Sequence, residues 1–193
     1  MAKKAGKRTT GTKRPKKVAK RTKTAARRKS AVRRAAPKRV MPVPPHYHTA
    51  TPYLVCLGAA DAIEFYKNAF GARQKYRMDG PDGRVAHAEI RIGDSMIMLG
   101  EEAPEQGALA PPTIGGTATG IMLYVKNVDK ACAQAIGAGA TVEMPPTNMF
   151  WGDRYCKLAD PFGHKWSIAT HIEDVGPKEM RRRLAEAFST PAG

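Results

Sequence analysis

Acidic residues are absent from the first 41 positions of this 193-residue chain, although 17 occur in the sequence as a whole. The same segment has no Phe, Tyr or Trp, and between Met1 and Val40 its only apolar side chains beyond Ala and Pro are Val18 and Val32. Such a stretch cannot bury enough surface to offset the entropy of an ordered chain, and it has no carboxylates to neutralise its own charge, so it is expected to be disordered. Cysteine is scarce. Cys56, Cys132 and Cys156 are odd in number and lack CxxC spacing, which speaks against a disulfide framework or a zinc cluster and for free thiols in a reducing compartment. No apolar run approaches the ~18 residues that a bilayer span requires, and the N-terminus lacks the apolar stretch of a secretory signal. The expectation is a soluble, cytoplasmic protein without membrane contact.

What fills the first 41 positions is base: Lys3, Lys4, Lys7, Arg8, Lys13, Arg14, Lys16, Lys17, Lys20, Arg21, Lys23, Arg27, Arg28, Lys29, Arg33, Arg34, Lys38 and Arg39. The chain has 33 Lys+Arg; with these 18 removed, 15 remain against 17 acids, so the tail carries +18 and the rest about −2. That asymmetry points to a polyanionic partner for one segment only. The composition resembles the Lys/Ala-rich tails of linker histones and bacterial histone-like proteins. Cations on a flexible chain displace counterions from DNA and bind phosphate without sequence preference, and without aromatic residues there is no base stacking. Nucleoid association is the location that follows. The alternatives are a solubilising tail with no partner, or an organellar transit peptide, although transit peptides usually alternate apolar and basic faces. Residues 35–48 carry four prolines, a semi-extended linker whose last part, 42–48, leads into the domain.

From residue 49 the texture changes to short strands and amphipathic helices. Residues 51–56 have strand length and composition. Residues 60–70 place Ile63, Tyr66 and Phe70 on one helical face, and Gly71 ends the helix. Strands are predicted at 74–78, 84–92 and 96–99, with turns at Pro81-Asp82-Gly83 and Gly93-Asp94. The pattern then recurs: a strand at 120–125, a helix at 128–136, and strands at 141–145, 154–158 and 165–171. Asp61 and Asp129 lie 68 residues apart, as do Gly71-Ala72 and Gly139-Ala140. The domain, residues 49–175, therefore reads as α+β: tandem βαβββ modules at 49–104 and 119–172, with a Gly/Pro/Thr-rich connector at 103–119 between them. Residues 176–193 add a short helix with Met180, Leu184 and Phe188 on one face and Arg181, Arg182 and Arg183 clustered beside it.

Several long motifs agree in one resemblance: TPYL, AIEFYKNAFGA, DGRVAHAEIRIGDSMIML, FWGDRY and LADPFGHKWSIATHIEDV. The domain resembles the vicinal-oxygen-chelate superfamily, and within it the PhnB-like branch of glyoxalase/bleomycin-resistance proteins. The resemblance implies curved sheets joined into a cup that holds a small molecule, and frequent homodimers. In metal-using members such as glyoxalase I, four side chains inside the cup hold a divalent ion. In this sequence those positions fall at Thr51, at Thr119 or Gly120, and near Glu89 and Ser167. Only Glu89 is a competent ligand, and one carboxylate with hydroxyls and a glycine does not complete a metal shell. The metal cofactor is therefore expected to be lost.

His87 and Glu89, two apart on a strand, point to the same face, with Arg91 beyond them. They could form a displaced metal or proton-transfer pair, or simply hydrogen-bond to strand neighbours. Thr51 and Tyr53 on the first strand are expected to line a ligand pocket. Met122 and Tyr124 share a face with Gly120 by parity, as do Lys165 and Ser167 on the last strand. Trp151 and Arg154 complete the set. Arg154 could take an anionic ligand or pair with Asp153 or Asp160. Asp160 is expected to cap its turn, Met96, Met98, Met122 and Met144 to fill core, and His164 and His171 to be structural. Because this superfamily hosts lyases, dioxygenases, isomerases and non-catalytic drug-binding proteins, three readings follow: a metal-free small-molecule binder, an enzyme centred on His87 and Glu89, or a nucleoid-associated protein.

Overall fold

The computed structural model describes Gly11 and residues 40–189. Met1–Val40 and Met41–Gly193 are separate units, and the basic residues of the tail all lie outside the described residues. The first module comprises β1 (Tyr53–Cys56), α1 (Ala59–Phe70), β2 (Arg73–Asp79), β3 (Val85–Ile92) and β4 (Ser95–Glu101). A 3-10 turn (Pro104–Gln106) and the single-turn α2 (Pro111–Ile114) lead into the second: β5 (Gly120–Tyr124), α3 (Val128–Gly137), β6 (Thr141–Asn148), β7 (Asp153–Ala159) and β8 (Lys165–His171). The amphipathic helix α4 (Pro177–Ser189) follows. The sheets run β1-β4-β3-β2 and β5-β8-β7-β6. In each, the first strand pairs parallel with the last and the other pairings are antiparallel. The same order twice is the internal repeat made structural.

Each sheet has one face on the core and one open. On β3, Ala88, Ile90 and Ile92 are buried while His87, Glu89 and Arg91 are half-buried on the opposite side, the period of two that a pleated strand imposes. The apolar stripe of α1, with Ala62, Ile63 and Tyr66 fully buried, covers the inner side. Its start is capped from a distance: Gly58 N and Ala59 N donate to the two carboxylate oxygens of Glu101 at 2.7 and 2.8 Å, supplying the acceptors that the first turn lacks. Gly71, at φ 65°, ends it.

A single core joins the modules. Trp166 of β8 packs at a tilt against Phe70 and Tyr66 of α1, with ring centroids 4.5 and 5.3 Å apart. Asp160 does cap its turn, accepting from Phe162 N and His164 N at 2.9 Å. It also receives the Tyr66 hydroxyl and Trp166 Nε1, each at 2.8 Å. His164 is buried, as a structural histidine would be, with Nε2 3.1 Å from Val55 O. Burial, followed by the charge of Asp160, pushes the Cys56 thiol up to about 12, so it stays protonated. All three cysteines are buried and free.

One boundary differs instructively. The strand expected to end at 145 runs on to Asn148 through Pro145 and Pro146. β6 is an edge strand, so prolines with no N–H cost it no ladder bonds on the solvent side, and its register shifts between Met144 and Thr147. Among the described residues no helix is long and apolar enough to cross a membrane.

Candidate functional site

The open face of the first module gathers side chains from β1, β2 and β3. His87 Nε2 lies 3.4 Å from Glu89 Oε1. The Tyr53 ring stands 5.9 Å from the His87 ring and the Tyr76 ring 6.2 Å from it. The chain entering the domain adds Tyr47, whose hydroxyl donates to Glu89. Loss of solvation and that carboxylate push the phenol up to about 12. Tyr53 can lie along the sheet because position 100 is glycine: a Cβ there would sit 2.7 Å from the Tyr53 hydroxyl oxygen and 2.9 Å from Ala86 O. Thr51 precedes the strand and donates to His48 O at 3.4 Å.

The open face of the second module is built around Asp153, a carboxylate only 4% exposed. It accepts from Trp151 Nε1 at 3.1 Å, from the Tyr124 hydroxyl at 3.2 Å, and lies 2.8 Å from His171 Nδ1. The other ring nitrogen of His171 is 3.0 Å from Asp174. The hydrogen bonds to these two carboxylates, Asp153 first, raise the His171 pKa, while the bond to Asp153 raises that of Tyr124. Tyr155 and Ser167 are 2.6 Å apart, and the Trp151 ring meets Tyr155 edge-on at 5.9 Å. Met122, paired in register with Ser167, is exposed beside them. The Lys165 amine is paired with Glu143, which Lys157 also approaches at 3.5 Å.

The structure thus distributes the expected pocket residues over two faces: Thr51, Tyr53, His87 and Glu89 with the first, and Met122, Tyr124, Trp151, Lys165 and Ser167 with the second. Arg154 belongs to neither. It projects to the helix side of β7, where Nε and Nη2 hold both oxygens of Asp129 at 2.8 and 2.6 Å and Nη1 donates to Asn148 at 3.0 Å. A guanidinium held bidentately by a helix carboxylate is not free for an anionic ligand, and neither Asp153 nor Asp160 is its partner. Conversely, the sequence reading left His171 structural and passed over Tyr155, Tyr76 and Tyr47. The parity that placed Lys165 and Ser167 on the open face also places His171 there, two pairs of residues further along.

The superfamily's metal positions can be tested on donor chemistry. Thr51, Gly120 and Ser167 offer hydroxyls or nothing. Among the described residues no three His, Cys, Asp or Glu side chains are placed to share a metal ion. The residues present do not fit a divalent metal of the glyoxalase kind.

Residues 48–168 match the family described as Glyoxalase/Bleomycin resistance protein/Dioxygenase superfamily. An uncharacterized protein of Mycobacterium bovis is 39% identical over 138 residues, which is 70% of this chain and 91% of that one. Protein YjdN of Escherichia coli is 27% identical over 139 residues, 61% of this chain and 92% of that one. Among solved structures, an Arabidopsis thaliana gene product superposes with a TM-score of 0.53 at 25% identity, covering 64% of this chain and 98% of that one. TioX from Micromonospora has the same fold, with a TM-score of 0.52 at 23% identity over 64% of this chain and 99% of that one.

Proposed function

As the chain belongs to the glyoxalase/bleomycin resistance protein/dioxygenase superfamily, we propose that it binds a small organic molecule on the open sheet faces without a metal ion. The observation that carries this reading is the constellation around Asp153: an indole, a phenol and an imidazole hydrogen-bonded to one carboxylate, with the hydrogen-bonded Tyr155–Ser167 pair beside them on the open face. Flat aromatic walls with a few fixed polar groups are what a small-ligand site requires. Tyr124 is 66% exposed and Tyr53 50%, so each face alone is half a container. A homodimer in which the second-module face of one copy closes over the first-module face of the other would complete it. The motifs around FWGDRY and LADPFGHKWSIATHIEDV support a PhnB-like reading within the superfamily.

Native mass spectrometry of the purified protein, followed by a thermal-shift screen of small aromatic and polar compounds, tests the binding reading. Retention of a compound that Tyr124→Ala and Trp151→Ala both abolish supports it; retention unaffected by either variant sinks it. Analytical ultracentrifugation reads the dimer.

A second reading, proton-transfer catalysis at His87 and Glu89, is favoured by their 3.4 Å contact between two tyrosine rings. Turnover of a glyoxalase-type substrate that is restored by added Zn, Ni, Mn or Fe would replace the metal-free reading with a lyase, isomerase or dioxygenase reading. For the basic tail the proposal, from sequence alone, is non-specific binding to DNA or another polyanion and hence nucleoid association. Equal DNA affinity of the full chain and a 42–193 truncation at two salt concentrations would rule it out.

A further inference from the structure

At the β3–β4 turn, at the end of the first-module face beyond Glu89, three cations line one cleft of about 340 Å³: Arg73, Lys75 and Arg91, with Gly71 and Gly93 completing its wall. Arg73 and Arg91 are direct partners across the antiparallel β2–β3 pair, and like charges placed opposite one another destabilise a sheet. The register slips between Gln74 and Tyr76, the kind of irregularity that re-aims a strand side chain, and Lys75 lies at the slip.

The arrangement is not an effect of general basicity, since the domain has fewer bases than acids. Nor is it relieved locally. Arg77, Arg84, Arg154, Arg182 and Arg183 each have a carboxylate within 4 Å, whereas among the described residues Arg73, Lys75 and Arg91 have none. Arg91 is half-buried, and its Nε donates to Gly93 O at 2.9 Å, which fixes the plane of the guanidinium and leaves its two terminal nitrogens for another acceptor. Of the two acids flanking Arg91 in sequence, Glu89 lies 3.4 Å from His87 Nε2 and Asp94 takes the Ser95 hydroxyl at 3.0 Å.

Gly71 and Gly93 are shared with a second, larger pocket of about 600 Å³ between the modules, walled by Phe70, Ile92, Leu123 and Ile168 on its apolar side and by Asp94 and Gln134 on its polar side. A fixed cationic fork adjoining a chamber with an apolar wall matches an anion with a greasy body. We infer that this composite cleft binds an amphipathic organic oxyanion, with the carboxylate or phosphate head on Arg73, Lys75 and Arg91 and the apolar portion between the modules. His87, Glu89 and Asp153 do not line it, but Met122 and Tyr124 of the second-module face reach the larger pocket, so the two sites adjoin there; shifts at Gly71 and Gly93 that survive Tyr124→Ala distinguish this cationic site from the one proposed above.

The test is an amide NMR titration of the full chain with hexyl phosphate, hexanoate, inorganic phosphate and hexanol, read at Gly71 and Gly93, whose signals report the cleft and not the basic tail. The expected result is saturable shifts at both glycines with hexyl phosphate or hexanoate. The better of these two heads identifies the anion class, and inorganic phosphate and hexanol should each bind at least tenfold more weakly. Arg91→Gln and Arg73→Gln should each weaken binding about tenfold, a loss of about 1.4 kcal/mol, and Arg181→Gln should leave it unchanged. Relief of the opposed charges should leave the unliganded Arg73→Gln and Arg91→Gln proteins as stable as the parent or more so. Three results would overturn the assignment: no shift at Gly71 and Gly93 with any probe, equal affinity in Arg91→Gln, or inorganic phosphate binding as tightly as hexyl phosphate.

Discussion

Tyr66, on the helix of the first module, donates a 2.8 Å hydrogen bond to Asp160, in the last turn of the second. Asp160 is 5% exposed and accepts three further hydrogen bonds, from Trp166 Nε1 and two backbone N–H groups. Removing the carboxylate strands four donors, and each buried unsatisfied group costs ~1–3 kcal/mol. Asp160→Ala is therefore expected to lower stability by roughly 3 kcal/mol or more. Tyr66→Phe, which leaves Asp160 three partners, should cost about 1 kcal/mol. Urea unfolding followed by tryptophan fluorescence measures both.

His171 carries a pH signature. Its folded-state pKa is raised by the hydrogen bonds to Asp153 and Asp174, so the protonated ring is favoured by folding. That contribution is fully present below the unfolded-state pKa of about 6.5 and is lost as pH rises through the higher folded value. Denaturation midpoints should fall across that window in the parent protein and fall less in His171→Asn. In Asp153→Asn, an NMR titration should show the imidazole pKa moved down.

Gly100→Ala tests the slot that holds Tyr53. The new methyl would meet both the Tyr53 hydroxyl and the Ala86 carbonyl at under 3 Å, and only the side chain can swing away. Overpacking of this kind costs ~1–3 kcal/mol. Loss of stability accompanied by changed amide shifts at His87 is the expected outcome.

The last helix is held by charge. Arg183 reaches Glu173 at 2.6 Å and Glu179 at 2.8 Å, and hydrogen bonds from Arg182 and Arg183 lower the Glu179 pKa to about 2. Arg183→Ala should accelerate amide exchange and proteolysis across α4 while leaving β8 protected. Acidification through pH about 2 should do the same in the parent. The clustered arginines that look like a solvated face in sequence are thus largely committed to the chain's own glutamates, Arg181 excepted.

Much of the fold was legible because two periods and a few glycines encode it. The stripe of Ile63, Tyr66 and Phe70, the stop at Gly71, and the recurrence of Asp61 and Gly71-Ala72 as Asp129 and Gly139-Ala140 68 residues on reveal the repeated order of strands and helices. The end of β6 was not legible, because whether a proline interrupts a strand depends on whether that strand is an edge, which only the assembled sheet reveals. The site was legible in part. Parity put Tyr124 and Ser167 on an open face, but it cannot say that Asp153 would be the shared acceptor, since Trp151, Tyr124 and His171 reach it from three different segments. Arg154 shows the converse: its partner Asp129 lies 25 positions away on a helix, and no local pattern announces it. Tyr47 sits in a proline-rich stretch with no period at all.

The union of the halves through Asp160 and Trp166 has a consequence for how the polypeptide can be cut. Continuity of the chain at the connector contributes little that the interior contacts do not already supply. Two separately expressed fragments, parted between Gly115 and Gly116, carry between them every ring and every donor of that interior, and should find each other on mixing to reconstitute one folded body.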